Sequence, residues 1–215
     1  MSAGGPSTAA IHLEEPAEGH HGEMVSAISY GSGVPDDSEL RLCGDVAGKR
    51  VIELGGVAGA IALAERGARA MAAVPAEALA DGREQAEQAA VRVEFHGGDI
   101  ADLGFATSGS VDLVFSTAFA GVDDLARALR QAHRVLRPEA SLVFAVPHPM
   151  AAMLEGGEVV LRRGYGAGTR TTSDYFMAVM RANFRVDVMA EPLPLGQPGA
   201  LVPAALVMRA KKLGV

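Results

Sequence analysis

Gly48-Lys49-Arg50-Val51-Ile52-Glu53-Leu54-Gly55-Gly56-Val57-Ala58-Gly59 is the stretch on which the reading of this chain turns. Val51–Leu54 is a short apolar run of strand type, and it enters a glycine-rich turn. Ala58–Arg66 then reads as a helix ended by Gly67. Glycines in such a turn let backbone approach a ligand or a neighbouring element without a Cβ in the way. Glu53, directly before the turn, is costly to bury without a partner, and that points to a working role.

The same alternation continues outward. Ala70–Val74 reads as a second strand, Ala76–Glu87 as a helix, Val91–Phe95 as a third strand and Val111–Phe115 as a fourth. Asp123–Leu136 is a periodic helix with Leu125, Leu129, Ala132 and Leu136 on one face, ended by Pro138. Ser141–Val146 is a fifth strand. Beyond Pro149, Glu158–Arg163 and Ala167–Thr171 flank a glycine-rich turn and suggest a hairpin. Ser173–Ala182 reads as a helix capped by Thr172 or Ser173, and Phe184–Met189 and Ala204–Arg209 as strands. Upstream, Pro35-Asp36-Asp37-Ser38-Glu39-Leu40 is a helix start, and that helix is expected to run toward Gly48. Alternation of this kind argues for an α/β protein: a parallel sheet with helices on both faces, whose ligands sit outside the carboxyl ends of the strands.

The chain has 215 residues, 49% hydrophobic and 21% charged, with a net charge of −7. That fits one domain, expected over residues 23–215, behind a polar tail at 1–22. The acidic balance argues against a nucleic-acid partner. Cys43 is the only cysteine, so no internal disulfide and no cysteine-built zinc site is expected; Cys43 reads as a small buried residue. His12, His20 and His21 lie in the tail without fixed partners, and no metal is expected. No apolar run reaches the roughly 18–20 residues of a membrane span, and no secretory pattern is visible. A cytoplasmic location is the expectation. Oligomeric state is left open, a homodimer being compatible with the sequence.

Several segments, in order, resemble motifs of the class I S-adenosylmethionine-dependent methyltransferases, in particular the small-molecule type 11/25-like group. Val51-Ile52-Glu53-Leu54-Gly55-Gly56 resembles the first motif, and Gly98-Asp99-Ile100-Ala101-Asp102-Leu103 the acidic motif after the third strand. Ser110-Val111-Asp112-Leu113-Val114-Phe115-Ser116 is similar to the fourth-strand motif, and Arg134-Val135-Leu136-Arg137-Pro138-Glu139-Ala140 to the helix end that follows. Pro147-His148-Pro149 stands where some small-molecule methyltransferases carry a similar turn. The resemblance covers about Ser29 to Lys212. It implies a Rossmann-like class I fold: a central, mostly parallel seven-stranded sheet with an antiparallel C-terminal strand. It implies S-adenosylmethionine as cofactor, S-adenosylhomocysteine as product and a small-molecule acceptor. It further implies that Gly55, Gly56 and Gly59 admit the cofactor, and that Glu53 attracts its ammonium or orients the loop amides. Asp99 and the backbone of Ile100 are implied to read the adenine, Ser116 and Thr117 to line the methionyl end, and Tyr30 to lie over the pocket. His148 is the candidate catalytic base, with His96 a weaker one; His133 is expected to pack in the core.

Two positions depart from the family pattern. Val57 replaces the middle glycine, and a β-branched residue disfavours positive φ. Val74 stands where the family's ribose-binding acid is expected and accepts no hydrogen bond; Glu77 or Asp81 is the substitute carboxylate nearby. An unpaired buried donor costs about 1–3 kcal/mol, so the two ribose hydroxyls together would weaken binding by roughly one to four orders of magnitude. These departures motivate a second reading, a methyltransferase-like protein with lost or weakened cofactor binding, serving as a ligand-binding, non-methylating or partner subunit. A nicotinamide-dependent oxidoreductase fits worse, because Gly-x-Gly-x-x-Gly is not met by residues 55–60.

Overall fold

A computed structural model describes residues 26–154, 164–197 and 199–214. Seven strands form one sheet in the order β3-β2-β1-β4-β5-β7-β6. They are β1 Arg50–Leu54, β2 Arg69–Val74, β3 Val93–Gly97, β4 Val111–Ser116, β5 Leu136–Pro147, β6 Phe184–Ala190 and β7 Ala205–Lys212. The five strands β1 to β5 run parallel, and β7 runs antiparallel to both β5 and β6. The chain order reverses at β1, with β2 on one side and β4 on the other, so a crevice opens at their carboxyl ends.

Among the described residues, five α-helices accompany the sheet: α1 Asp37–Leu40, α2 Ala58–Glu65, α3 Leu79–Gln88, α4 Leu125–Val135 and α5 Thr172–Arg181. One core layer joins Ile52, Leu54 and Met71 to Leu125 and Leu129 of α4 and to Tyr175 and Val179 of α5. The other joins Val51, Ala72, Phe115 and Val143 to Ala60 and Leu63 of α2 and to the N-terminal Ile28 and Tyr30. Burial on both faces is why the inner strands read as unbroken apolar runs.

Local chemistry sets the element ends. Asp36 caps α1 by accepting from the Ser38 amide, but the helix stops after one turn, because Arg41 adopts a left-handed φ of 53°. The expected run to Gly48 is therefore absent. Thr171, not Thr172 or Ser173, caps α5, in a reciprocal capping box with Asp174. β3 begins two residues later than its apolar run suggested. After Val135 the chain passes straight into β5 at Leu136, so Pro138 and Glu139 belong to the strand, with Glu139 at φ 60°. Ala167–Thr171 forms turns, not a strand. Its expected hairpin partner at 158–163 lies outside the described residues, as do the 1–22 tail and its histidines. Among the described residues, no helix is long and apolar enough to cross a membrane.

Candidate functional site

The turn after β1 is built around a buried carboxylate. Gly55 has φ +83°, a conformation that glycine accepts without strain, and its amide donates to the Ala73 carbonyl at 2.8 Å. Glu53 is only 3% exposed, and it accepts from the Ala60 amide at 2.6 Å. Burial pushes its pKa up to about 7, with the Ala60 and Gly59 amides pulling the other way. A Cβ on Gly56 would lie 2.4 Å from Glu53 Oε1, and one on Gly59 would lie 2.7 Å from Phe115 and 2.9 Å from the same oxygen. These two glycines therefore wrap the carboxylate and the Phe115 ring. Of the two roles expected for Glu53, the geometry supports orienting the loop amides. Val57 sits at φ −123° as the residue before α2, so its branched side chain meets no conformational conflict. Its Cγ2 packs so closely on Gly82 of α3 that a Cβ there would lie at 3.0 Å.

At the end of β4, Ser116 is fully buried. Its hydroxyl donates to the Leu54 carbonyl at 2.9 Å and accepts from the Ala118 amide at 3.1 Å. The serine ties the β1 and β4 turns together, so its hydroxyl is spent on the frame. Ala118 in turn lies against Gly55: a Cβ on that glycine would sit 2.3 Å from the Ala118 Cβ and 3.2 Å from Ile100 Cδ1. The crevice is narrow there. Thr117 is exposed at a cavity of about 360 Å³ shared with Tyr30, Val34 and Pro147. Tyr30 borders that cavity but is only 2% exposed. Its hydroxyl donates to Asp37, lies 3.7 Å from Cys43 Sγ, and is pushed to high pKa by burial.

Beyond β3, Asp99 Oδ1 accepts from the Ala101 amide at 2.8 Å, and Oδ2 receives Arg127 Nη1 at 2.9 Å. Arg127 also reaches Asp102 at 3.5 Å. An ionised carboxylate has about four acceptor sites, so Asp99 keeps capacity for a ligand's amino group. It faces a cavity of about 370 Å³ with Ala73, His96, Gly98, Asp102 and Phe105. Val74 does not. It is 1% exposed and packs in the core layer of α2, so only its carbonyl serves the turn, accepting from the Gly98 amide at 2.9 Å. Its place among the cofactor contacts is corrected on that ground. Glu77 and Asp81 are both exposed.

His148 is 2% exposed with both ring nitrogens occupied. Nδ1 accepts from the Met150 amide at 3.2 Å, and Nε2 therefore carries the proton toward Glu191 Oε1 at 2.9 Å. With its backbone amide on Ala204, it pins the end of β5 to the approach of β7. It has no free lone pair for an acceptor, so the expected base role is corrected to a structural one. His96 stacks on Phe105 and meets Glu94 at 2.8 Å. His133 packs edge-on to Phe184, as its place on α4 led one to expect.

Sequence reading missed the Arg170 clamp on the segment after β4. Arg170 Nη1 donates to the Phe119 carbonyl at 3.2 Å, and Nη2 to the carbonyls of Val122 and, at 2.9 Å, Asp123. This guanidinium clamps the segment after β4 to the start of α5. It borders a cavity of about 650 Å³ with Gly121, Pro147, Pro149 and Tyr175. No local pattern marked Arg170, because its three partners lie about fifty residues away in the chain. S-adenosylmethionine fits this rim at two of its three parts. The Gly55–Gly59 backbone and the Asp99–Ile100 turn suit its amino-acid and adenine ends. Nothing at Val74 suits the ribose hydroxyls.

Residues 52–144 match a family model described as a methyltransferase domain. Among solved structures, an S-adenosylmethionine-dependent methyltransferase from Mesorhizobium loti superposes with a TM-score of 0.65 at 21% identity, over 82% of this chain and 96% of that one. Geranyl diphosphate C-methyltransferase from Streptomyces coelicolor, solved with S-adenosyl-L-homocysteine, superposes at 0.63 with 14% identity, over 82% and 79%. A cyclase does so at 0.61 with 15% identity, over 77% and 75%. No curated protein matches the sequence. At these identities the structural likeness shows the fold, and the cyclase's presence among the likenesses warns against reading chemistry from fold alone.

Proposed function

We propose that this chain, whose residues 52–144 match a methyltransferase-domain model and whose fold is that of class I S-adenosylmethionine-dependent methyltransferases, methylates a small-molecule acceptor held beside the ends of β4 and β5. The observation that carries this reading is the cavity of about 650 Å³ between Pro147, Pro149, Arg170 and Tyr175. Its volume suits a small ligand, and it adjoins the turn after β4. When bound, the cofactor supplies an electrophilic methyl group on a sulfonium. The chain's own residues position it. Glu53 holds the α2 amides, Gly55 and Ser116 set the spacing of the two turns, and Asp99 with the Ile100 amide takes the adenine edge. Methyl transfer needs mainly in-line placement of nucleophile and methyl group. With His148 committed to Glu191 and Met150, the acceptor nucleophile must ionise without that histidine's help. The single buried thiol, Cys43, suits a reducing cytoplasm.

Val74 in the core and Ala118 against Gly55 favour a second reading, a ligand-binding relative that no longer methylates. Calorimetry with S-adenosylhomocysteine separates the two. The first expects one-site binding that tightens in Ala118→Gly, where the crevice widens. A folded protein with no heat signal in either form would leave the second reading standing.

A further inference from the structure

The opposite rim of the sheet, at the amino ends of the strands, carries an unexplained row of charge. Arg50 opens β1 and Arg69 opens β2, and the two are register partners on adjacent parallel strands. Arg92 directly precedes β3, where Val93 pairs with Ala70, so it extends the row by one strand. All three lie two residues from inward-facing or same-face positions, Ile52, Met71 and Glu94, so they share one face of the sheet. At about 4.8 Å per strand, the row spans about 10 Å.

Like charges directly opposite each other on neighbouring strands are destabilising. Among the described residues none of the three makes an ion pair. One carboxylate, the exposed Glu94, shares the groove and meets His96 at 2.8 Å, while Asp112 takes the Arg50 backbone amide at 2.9 Å together with the Arg137 guanidinium. The arginines line a cavity of about 750 Å³ floored by Ala68, Ala70 and Met71. On a chain of net charge −7, a groove with three arginines and one carboxylate is not explained by the general surface. Guanidinium forks match phosphoryl oxygens in geometry and charge.

We propose that this groove binds a small polyanion of the di- or triphosphate class, at the end of the sheet remote from the methyl-transfer site. The test is titration of the full chain with inorganic tripolyphosphate at low salt. One-site binding that weakens as salt rises is expected, and Arg69→Ser should weaken it by roughly ten- to a hundred-fold, one charge-assisted contact being lost. Arg69→Ser together with Arg92→Ser should abolish it while leaving S-adenosylhomocysteine binding unchanged. Because Arg69 is exposed, the single variant is expected to fold, and without the anion its melting temperature should stay level or rise as repulsion is relieved. Absence of binding, binding that survives the double variant, or a melting temperature that falls in Arg69→Ser overturns the proposal. So does a single-stranded oligonucleotide that outcompetes tripolyphosphate at equal phosphate concentration.

Discussion

The turns after β1 and β2 stand side by side, joined by the Gly55 amide on the Ala73 carbonyl at 2.8 Å, yet they are built on opposite principles. The β1 turn buries a carboxylate, with Gly56 and Gly59 making room for it and Gly55 making room for Ala118. The β2 turn ends in Val74, whose side chain faces the core, followed by exposed Pro75 and Glu77. One turn is preorganised by polar contacts inside the protein, and the other presents nothing polar and buried to a ligand. On the proposed reading, a cofactor spanning both turns would be gripped at its two ends, with its middle left to solvent.

The largest expected effect strikes the β1 turn. Gly55→Ala puts a Cβ into Ala118 on a backbone with φ +83°. Left-handed strain and overpacking together should cost about 3 kcal/mol in urea denaturation. A loss under about 1 kcal/mol would mean that the turn is not as tightly built as the contrast requires.

Glu53 sharpens the same side by its pH dependence. Its pKa lies at about 7 when folded, against an ordinary value of 4.5. A carboxyl raised on folding favours the protonated native state. Its contribution is fully present below pH about 4.5 and is lost as pH rises to about 7, a cost of order 3 kcal/mol above that window. Glu53→Gln keeps an acceptor for the Ala60 amide and removes the titration. The stability difference between variant and parent should therefore grow in the variant's favour from pH 4.5 to 8. A difference independent of pH would show that Glu53 stays ionised throughout.

A smaller effect is expected at the other rim, where a non-glycine residue takes the conformation that Gly55 takes freely. Glu139 holds φ 60°, and its contact to Arg185 is long at 3.9 Å with both side chains exposed. Glu139→Gly should stabilise the protein by about 1 kcal/mol. Thermal unfolding that shows a loss instead would locate an unrecognised role for that side chain.

The smallest expected effect tests the β2 turn directly. If Val74 leaves the ribose unpaired, a 2′,3′-dideoxy analogue of S-adenosylhomocysteine should bind within about threefold of the parent, less than one hydrogen bond's worth. A much larger loss would mean that another residue, with exposed Glu77 the nearest carboxylate in sequence, has taken over the role of the missing acid.

The elements that could be read from sequence share one property: their signal is local. Val51–Leu54, the α2 stretch and the Leu125/Leu129/Ala132 face each declare themselves within a dozen residues, and the structure places them as expected. The motifs at Glu53, Asp99 and Ser116 were found for the same reason. Residue type and spacing did not reveal what each group was bonded to. Ser116 looked like a ligand contact and is a stitch between two turns; His148 looked like a base and is a pin between β5 and β7. Tyr30 looked like a lid and has its hydroxyl buried against Asp37. Val57 looked like a strained loop residue and lies at an ordinary negative φ, because the positive φ falls on Gly55 alone.

The sequence by itself determined the alternation of strands and helices, the location of the candidate ligand-binding rim and the chemical inventory along it. Hydrophobic period and turn residues act over a few positions, and those positions are adjacent in the chain. Tertiary structure alone decided which polar groups remain available. Arg170 reaches the segment after β4 and Arg127 reaches Asp99 across 28 residues or more, and Arg50 meets Arg69 only because β1 and β2 pair in that register. Whether a carboxylate, hydroxyl or imidazole is free depends on which partner folding brings within about 3 Å, a distance relation between residues far apart in sequence.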